Sequence, residues 1–300
     1  MICVLSGGTG TPKLLQGLVE EIDHSDISVI VNTLENNYFS GVYVSADIDT
    51  VLYTLAGLIN EETWYGQKND TYNTHNMLKK LGYHETLKIG DNDRALKIQK
   101  TQLLKKYTLT QATDIQRKKL NIKSKILPMS NEQSHITINT TEGLLTFHEY
   151  LIEKQTKPEI IEIKYNTVKP APPIIKTIKE SEEIIIGPSN PITSILPIIS
   201  MKGVEKALTR KHVTCISPII NNKPFSGPTT KFMKAKGYQP NIMGIATIYK
   251  NIVNKYIIDN NDEQHKPILE EIIPEVETMD INLNTMQNKQ KIAKHILNTL

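Results

Sequence analysis

The first eighteen residues constrain the fold more than any other stretch, because they join an apolar run to a glycine-rich turn. Residues 2–5 are apolar and long enough for a buried β-strand. Residues 6–11 then contain three glycines, one serine and two threonines. Pro12 suits the first position of a helix, and Thr11 before it is a candidate N-cap. The pattern predicts a strand, a tight turn and the start of a helix.

This turn is a candidate phosphate-binding loop. Glycines let backbone N–H groups approach an anion closely, and a helix N-terminus adds partial positive charge. Hydroxyl groups and one ammonium would complete the site, whose candidate residues are Ser6, Gly7, Gly8, Thr9, Gly10, Thr11 and Lys13. The loop lacks the third glycine of the dinucleotide fingerprint and the Gly-Lys-Ser/Thr triplet of a P-loop. The alternative is a turn that only tightens the junction between strand and helix.

Composition bounds the class of protein. The 300 residues fit two domains or one large α/β domain with an insertion, and 39% of them are hydrophobic and 22% charged. The formal charge of +3 does not indicate nucleic-acid binding. No apolar run is long enough to span a membrane, and we expect a cytoplasmic protein without a membrane partner. Cys3 and Cys215 lie in apolar runs and are predicted to be buried, reduced thiols.

A second strand is predicted at 27–31, after an apolar helical pattern over 14–22. Such a strand-helix-strand unit is the first half of a Rossmann-like, doubly wound α/β fold with a mostly parallel sheet. Ligands bind at the carboxyl ends of strands in these sheets. Asn32 and Glu35 follow the second strand and are candidates to contact a ribose or a base.

Two aspartates, Asp47 and Asp49, precede an apolar helical run over 51–59. In an extended segment the side chains at i and i+2 face the same side, so both carboxylates would bind one hard cation. The alternative is helix capping by one aspartate, with the other carboxylate exposed to solvent.

Residues 61–125 are more polar than their surroundings and rich in lysine. They predict an inserted, mostly helical subdomain within one domain that spans 1–300. Inside it, Gly-Asp-x-Asp-Arg at 90–94 precedes a helical pattern. This motif binds a metal or phosphate, or it caps the helix that follows.

The second half of the chain repeats the N-terminal design. Residues 183–186 predict a buried strand, and a small polar turn and a proline-led helix follow. We expect this turn, with Gly187, Ser189 and Asn190, to lie beside the first loop on the same sheet edge. Alternation over 136–147 predicts a hairpin, and further strands or strand ends are predicted at 213–218, 244–246 and 256–259. The loop at 221–229 is long enough to close over a ligand.

Ten short motifs support a more specific interpretation. They include Ser-Gly-Gly-Thr-Gly-Thr-Pro-Lys at 6–13, Val-Asn-Thr at 31–33, Ser-Gly at 40–41, Asp-x-Asp-Thr-Val-Leu at 47–52, Trp64 with 69–71, Gly-Asp-x-Asp-Arg-Ala at 90–95, and the segments 127–130, 186–195, 217–220 and 226–228. In this order they resemble the 2-phospho-L-lactate transferase family of coenzyme F-420 biosynthesis, over nearly the whole chain. The resemblance implies a Rossmann-like core, a homodimer and a Mg²⁺-dependent reaction.

The same resemblance implies the substrates. The donor is a guanosine diphosphate ester of lactate or enolpyruvate. The acceptor is the ribityl hydroxyl of 7,8-didemethyl-8-hydroxy-5-deazariboflavin (Fo), and GMP leaves. In this interpretation Asp49 and Arg94 contact Fo, so that the insertion at 61–125 forms the acceptor-binding wall. The loops at 7–13 and 187–190 hold the diphosphate and the guanosine.

Two carboxylates are our candidates for the chemistry. We hypothesise that Asp47 and Asp49 hold Mg²⁺ or orient the acceptor hydroxyl, and that Asp49 is the stronger candidate for the catalytic base. Asn36 departs from the family, which often has an aspartate at this position. The chain therefore lacks a carboxylate there for a metal or ribose contact, although Glu35 remains.

Two other functions are weighed against this one. A regulator of the same fold, similar to the gluconeogenesis-factor group, would bind a nucleotide sugar without chemistry. A nicotinamide dehydrogenase is disfavoured because the third glycine and a ribose-binding aspartate are missing. The motif at 90–94 and the insertion around Trp64 suit a flat aromatic acceptor, which favours the enzyme.

Overall fold

A sheet of parallel strands forms the centre of the computed structural model, which describes residues 1–221, 223–225 and 227–298. The strands assigned in those ranges are β1 Ile2–Ser6, β2 Ile27–Val31, β3 Asn37–Phe39, β4 Val42–Val44, β5 Lys125–Pro128, β6 Ile136–Thr140, β7 Gly143–Thr146, β8 Ile160–Tyr165, β9 Glu183–Ile186, β10 His212–Ile216, β11 Ile219–Ile220, β12 Lys223–Pro224, β13 Lys255–Asp259 and β14 Glu275–Met279. Ser226 of the predicted ligand loop and Leu300 of the predicted closing helix lie outside the described residues.

Helices cover both faces of this sheet. Those assigned are α1 Gly10–Leu18, α2 Ala46–Leu55, α3 Asn73–Lys80, α4 Asp91–Leu103, α5 Leu109–Lys119, α6 Pro173–Glu180, α7 Leu196–Ile199, α8 Val204–Leu208, α9 Thr229–Ala235, α10 Ile242–Tyr249, α11 Lys266–Leu269 and α12 Met286–Asn298. The predicted strand 256–259 lies in β13, and the predicted closing helix corresponds to α12, which packs against α1. Across the described ranges, no helix is both long and apolar enough to cross a membrane.

The order of the central strands is β14-β13-β10-β9-β1-β2-β5, and every neighbouring pair is parallel. From β1 the chain builds outward through β2 and β5, and it then returns to β9 on the other side of β1. This is the strand order of a Rossmann-like fold, so the predicted fold class is confirmed. The reversal leaves a crevice at the carboxyl ends of β1 and β9, where such sheets bind ligands.

The core consists of two apolar layers, one on each face of the sheet. Successive side chains of a strand point to opposite faces, so Val4 packs with Leu14 of α1 while Leu5 packs with Ile192 on the other face. Burial on both faces explains why residues 2–5 of β1 are continuously apolar. The prediction of buried thiols is confirmed, and burial raises the pKa of the Cys3 thiol to about 12.

Two local predictions are wrong. Helix α1 begins at Gly10, so Thr11 is not its N-cap and Pro12 is not its first residue; Thr11 is instead fully buried within the first turn. The residues 244–246 lie in α10 and do not end a strand. The cause is Asn241, whose Oδ1 accepts hydrogen bonds from two backbone N–H groups at 3.1 and 3.2 Å and so starts a helix.

The hairpin predicted from the alternation over 136–147 is confirmed. Strands β6 and β7 pair antiparallel, and β8 pairs with the other edge of β6 to complete a small three-stranded sheet. The turn after β7 carries Phe147 and His148 towards the carboxyl end of the central sheet, where they line a cavity described below. The segment that follows this small sheet therefore supplies one wall of the candidate site.

Helices α3, α4 and α5 occupy the segment 61–125, and reciprocal caps join the first two. The Asp70 carboxylate accepts hydrogen bonds from the N–H groups of Asn92 and Asp93 at 2.8 and 3.0 Å. The Asp91 carboxylate in turn accepts from the N–H groups of Asn73 and Thr74 at 2.9 and 3.0 Å. Hydrogen bonds from the Thr71 hydroxyl and these amides hold the pKa of Asp91 well below its usual range. Asp91 of the motif at 90–94 therefore acts as a cap.

We expect Asp70→Ala to lower the free energy of unfolding by about 1 kcal/mol, the usual cost of a lost helix cap. Two N–H groups at the start of α4 would lose their acceptor. Asp70→Asn keeps one acceptor oxygen and should retain most of the stability, as measured by urea denaturation. Glu62→Ala is the control, because its exposed carboxylate has no partner in the described part of the chain. A loss for Asp70→Ala no larger than that of the control would contradict the capping role.

Candidate active site

The loops that follow β1 and β9 contact each other at the carboxyl edge of the sheet, as predicted. The Gly7 N–H donates to Ser189 Oγ at 3.0 Å, and Ser189 Oγ lies 2.7 Å from Thr11 Oγ1. The Ser189 N–H donates to the Gly187 carbonyl oxygen at 2.7 Å. The Gly7 amide already donates within the protein, and Thr11 is fully buried and lines neither cavity described below. The structure therefore does not support a phosphate contact by either group.

Two glycines permit the close approach of neighbouring segments. A Cβ atom at Gly10 would lie 1.8 Å from the Pro188 carbonyl oxygen, and one at Gly8 would lie 2.3 Å from Asp47 Oδ1. Both distances are far shorter than a van der Waals contact between heavy atoms. Gly10 therefore allows the first turn of α1 to pack on the second loop. Gly8 brings the backbone of the first loop against the Asp47 carboxylate.

A cavity of about 180 Å³ opens beside these loops. The N–H groups of Gly8 and Thr9 have no acceptor among the described residues, and first-turn amides of a helix lack intrahelical partners. Asn190 Oδ1 caps the turn after β9 by accepting two backbone N–H bonds at 2.9 and 3.2 Å. The lining residues are Gly8, Thr9, Gly10, Glu35, Asp47, Phe147, Leu151, Ser189, Asn190, Thr193, Ser194, Gly227, Pro228 and Phe232. Amide and hydroxyl donors in one cavity indicate an anion site.

Two carboxylates, Glu35 and Asp47, line the same cavity. Asp47 Oδ2 accepts a hydrogen bond from Asn32 Nδ2 at 2.9 Å, so Asn32 orients Asp47 from outside the cavity. Burial raises the pKa of Asp47 to about 6, although the bond from Asn32 opposes this shift. Burial and the neighbouring charge of Asp47 raise the pKa of Glu35 well above its usual range. Neither carboxylate forms an ion pair with another described residue, which makes the pair a candidate cation-binding group.

Asp49 does not share a site with Asp47. The extended segment predicted here is wrong, because both residues lie in the first turn of α2, where positions two apart point about 200° apart. Asp49 Oδ1 accepts from Ser45 Oγ at 2.9 Å and contacts Lys100 Nζ, and Oδ2 lies 3.1 Å from Lys97 Nζ. Burial raises the pKa of Asp49, but the two lysines outweigh it and lower the pKa overall. A carboxylate neutralised by two lysines is a poor cation ligand, so the structure does not support the shared metal site.

A second cavity of about 170 Å³ shares Glu35, Phe147 and Leu151 with the first. Its other lining residues are Val44, Ala46, Asp49, Thr50, Tyr53, Tyr65, Gly66, Leu87, Lys97, His148 and Ile152. The segment 61–125 thus contributes residues to one wall, and residues 147–152, which follow β7, contribute to another. Burial lowers the pKa of His148, which favours its neutral form. The cavity is largely apolar, with a buried ion pair of Asp49 and Lys97 in its lining.

Seven predicted site residues line neither cavity: Ser6, Gly7, Thr11, Lys13, Asn32, Arg94 and Gly187. Among them, Lys13 and Arg94 have partners on the segment 61–125. Lys13 Nζ lies 5.0 Å from the ring centroid of Trp64. Arg94 Nη2 donates to both carboxylate oxygens of Glu85 at 2.8 Å. These long side chains reach partners on the insertion that no local sequence pattern reveals. The ligand contacts of both residues stay predictions.

Phe147, Lys97, Thr193 and Ser194 are among the cavity-lining residues that the sequence did not single out. The two hydroxyl residues belong to the proline-led turn after β9, and its similarity to the N-terminal loop was a usable signal for them. Lys97 follows Asp93 by four residues and pairs with it along α4. A separation of four residues is equally typical of an exposed ion pair on a helix surface. The spacing of Asp93 and Lys97 therefore does not indicate a buried site by itself.

Comparison with known proteins finds relatives that match over nearly the whole chain. A family model described as 2-phospho-L-lactate transferase CofD matches residues 2–297. The 2-phospho-L-lactate transferase of Methanothermobacter thermautotrophicus is 50% identical over 297 residues, which cover 99% of this chain and 97% of the relative. That of Methanocaldococcus jannaschii is 45% identical over 305 residues, with coverage of 99% and 97%. A crystal structure of a UPF0052 family member from Bacillus halodurans has the same fold, with a TM-score of 0.67, 17% identity, and coverage of 99% and 98%.

We expect Asp47→Asn to raise the free energy of unfolding near pH 8 by about 1–3 kcal/mol. The pKa of the folded carboxyl group is about 6, above its ordinary value of 3.8. A raised carboxyl pKa gives stability that is fully present below about pH 4 and is lost as the pH rises through about 6. Asparagine removes the charge and keeps an acceptor oxygen for Asn32.

Denaturant titrations of both proteins from about pH 4 to about pH 8 measure this effect. The stability difference should shrink towards the acidic end, where wild-type Asp47 is protonated. Asp26→Asn on an exposed turn is the control and should show no such trend. A variant less stable than the wild type at the alkaline end would contradict the assignment.

Proposed function

The chain belongs to the 2-phospho-L-lactate transferase family, and we propose that it transfers a 2-phospholactyl or phosphoenolpyruvyl group to Fo in coenzyme F-420 biosynthesis. The donor is lactyl-2-diphospho-5'-guanosine or its enolpyruvyl counterpart, and GMP leaves. One observation carries the proposal: a cavity with an amide loop adjoins a largely apolar cavity, and Glu35 lines both. That arrangement suits a reaction between a diphosphate and an alcohol attached to a flat ring.

The donor diphosphate fits the cavity beside the first loop. The N–H groups of Gly8 and Thr9 supply hydrogen-bond donors, and the N-terminus of α1 adds partial positive charge. The hydroxyls of Thr193 and Ser194 belong to residues that line the same cavity. We assign the guanosine to the turn at 187–190, as the family resemblance implies.

The residues of this cavity fit a Mg²⁺ ion at Asp47. A carboxylate is a hard oxygen ligand, and the charge of Glu35 would add to the attraction of a cation. Within the described ranges no cluster of three or more His, Cys, Asp or Glu side chains is placed to hold a metal ion. Asp47, alone or with Glu35, would therefore supply only one or two of the Mg²⁺ ligands. Diphosphate oxygens and water would supply the others, which is the usual coordination of Mg²⁺. When bound, the ion would neutralise charge on the diphosphate.

The transfer forms a bond between the ribityl oxygen and the phosphorus that bears the lactyl ester, and it breaks the bond from that phosphorus to GMP. Such reactions depend on positioning and charge neutralisation more than on covalent catalysis. Glu35 is the residue that we propose to accept the hydroxyl proton, because it lines both the cavity of the amide loop and the apolar cavity. Asp49, the base predicted from the sequence, is neutralised by Lys97 and Lys100 and is assigned to acceptor binding instead.

The homodimer follows only from the resemblance, and the cytoplasmic location only from the sequence pattern. A homodimer and a cytoplasmic location stay predictions for this chain, and gel filtration with light scattering would measure the first. The rival regulator shares the fold but would release no GMP. Fo is fluorescent, so its binding can be followed by titrating it into the purified protein. A saturable change in fluorescence is expected of the transferase and not of the regulator.

We expect the purified protein to release GMP from the lactyl donor in the presence of Fo and Mg²⁺. Glu35→Gln should lower kcat roughly 10²–10⁴-fold, the usual contribution of a general base, with the donor KM nearly unchanged. Asp47→Asn should instead raise the Mg²⁺ concentration required for the half-maximal rate, by roughly tenfold or more. The two variants therefore have different kinetic signatures in one assay of GMP formation.

Glu62→Gln is the matched control, because this exposed glutamate lines neither cavity. It should behave as the wild type in both measurements. Glu35→Gln with a wild-type kcat would exclude this residue as the base. Saturable binding of guanine nucleotide without any GMP release from the donor, and without a fluorescence change of Fo, would exclude the enzyme and favour the regulator.

A further inference from the structure

A lysine in the lining of the apolar cavity has no assigned role. Lys97 lies on α4, is 3% exposed, and places its Nζ 3.1 Å from Asp49 Oδ2 and in contact with Asp93 Oδ1. The same Nζ lies 5.7 Å from the ring centroid of Tyr53. Lys100 lies one turn further along α4 and also contacts Asp49, but it does not line the cavity. These two lysines therefore share a partner and differ in their access to a ligand.

The ammonium of Lys97 has capacity for one more partner. A lysine ammonium carries three N–H donors. Asp49 and Asp93 account for two of them, and no other described residue is within hydrogen-bond distance of Nζ. A buried donor without an acceptor costs free energy, which an oxygen atom of a bound molecule would recover. The position of Lys97 in the cavity lining makes the cavity the source of that oxygen.

The surrounding charges define the kind of molecule that fits. Asp49 and Asp93 carry two negative charges, and Lys97 and Lys100 carry two positive charges, so this cluster is neutral overall. A neutral cluster in an apolar cavity favours an uncharged or weakly acidic ring system over a strongly ionised ligand. The ammonium then discriminates between ring systems with and without an oxygen at their edge, because only the former satisfies its third donor.

We infer that Lys97 is an acceptor-binding residue whose ammonium donates a hydrogen bond to an oxygen at the edge of the flat acceptor ring. The inference rests on the proposed function, since it takes Fo as the molecule in the apolar cavity. Fo carries two kinds of edge oxygen, the ring hydroxyl and the carbonyl oxygens of its pyrimidinedione. Both are hydrogen-bond acceptors for an ammonium, and the experiment below distinguishes them.

Lys97→Met and Lys100→Met form a matched pair, because each removes one ammonium from Asp49 and keeps most of the side-chain volume. We expect Lys97→Met to weaken Fo binding, measured by Fo fluorescence, roughly 10–100-fold more than Lys100→Met does. The KM for Fo should rise by a similar factor, with a smaller change in kcat. Thermal unfolding checks that both variants are folded. If Lys97→Met does not fold, Lys97→Arg keeps the ion pairs but moves the donors, and it should also weaken Fo binding.

Binding of an analogue of Fo identifies the oxygen that contacts Lys97. 5-Deazariboflavin keeps the pyrimidinedione and lacks the ring hydroxyl. If Lys97→Met weakens binding of Fo alone, the ring hydroxyl is the partner; if it weakens binding of both compounds, a carbonyl oxygen is, and either result supports the inference. Equal Fo affinity in the two methionine variants would overturn it. Absence of Fo binding and GMP release by the wild type would instead overturn the proposed function itself.

Discussion

The arrangement of the site depends on one contact between two loops that are far apart in the sequence. Ser189 Oγ accepts a hydrogen bond from the Gly7 N–H and meets the Thr11 hydroxyl, which joins the carboxyl ends of β1 and β9. The contact satisfies polar groups that would otherwise need water or a ligand. It also fixes the path of the backbone through Gly8, which packs directly on the Asp47 carboxylate. One packing arrangement therefore sets both the amide donors and the carboxylates of the cavity.

The two aspartates in the first turn of α2 have opposite electrostatic environments. Asp49 lies between Lys97 and Lys100, which lower its pKa and neutralise its charge inside the protein. Among the described residues, Asp47 has only the amide of Asn32 as a hydrogen-bond partner, so burial dominates and its pKa rises. An uncompensated buried carboxylate costs free energy, and such groups concentrate where a ligand or an ion supplies the missing charge. The contrast between neighbouring residues supports Asp47, and not Asp49, as the cation ligand.

The sheet was predictable from the sequence because its first strands are short apolar runs that end in small polar residues, as at 27–31. The helix starts and the site side chains were less predictable, because they depend on contacts between distant segments. Gly10 begins α1 where the loop after β9 packs on it, and Arg94 turns to Glu85 on its own insertion. A pattern that considers only neighbours in sequence contains neither contact. Two aspartates spaced for one face of a strand were therefore placed on the wrong element.

The motif at 90–94 lines neither cavity, and its residues instead fix the start of α4. Asp70 fixes the first turn of α4 by accepting two of its N–H groups, and a Cβ atom at Gly90 would lie 2.2 Å from Asp70 Oδ2. The fixed first turn sets the rotation of α4 about its axis. Lys97 follows Gly90 by seven residues, or about two turns, and this rotation directs its side chain to Asp49 and the apolar cavity. A motif that looks like a ligand site in the sequence thus positions a residue two turns away that no motif contains. A weakened cap should therefore displace the Lys97 ammonium from Asp49, because the ion pair requires the rotation that the first turn of α4 sets.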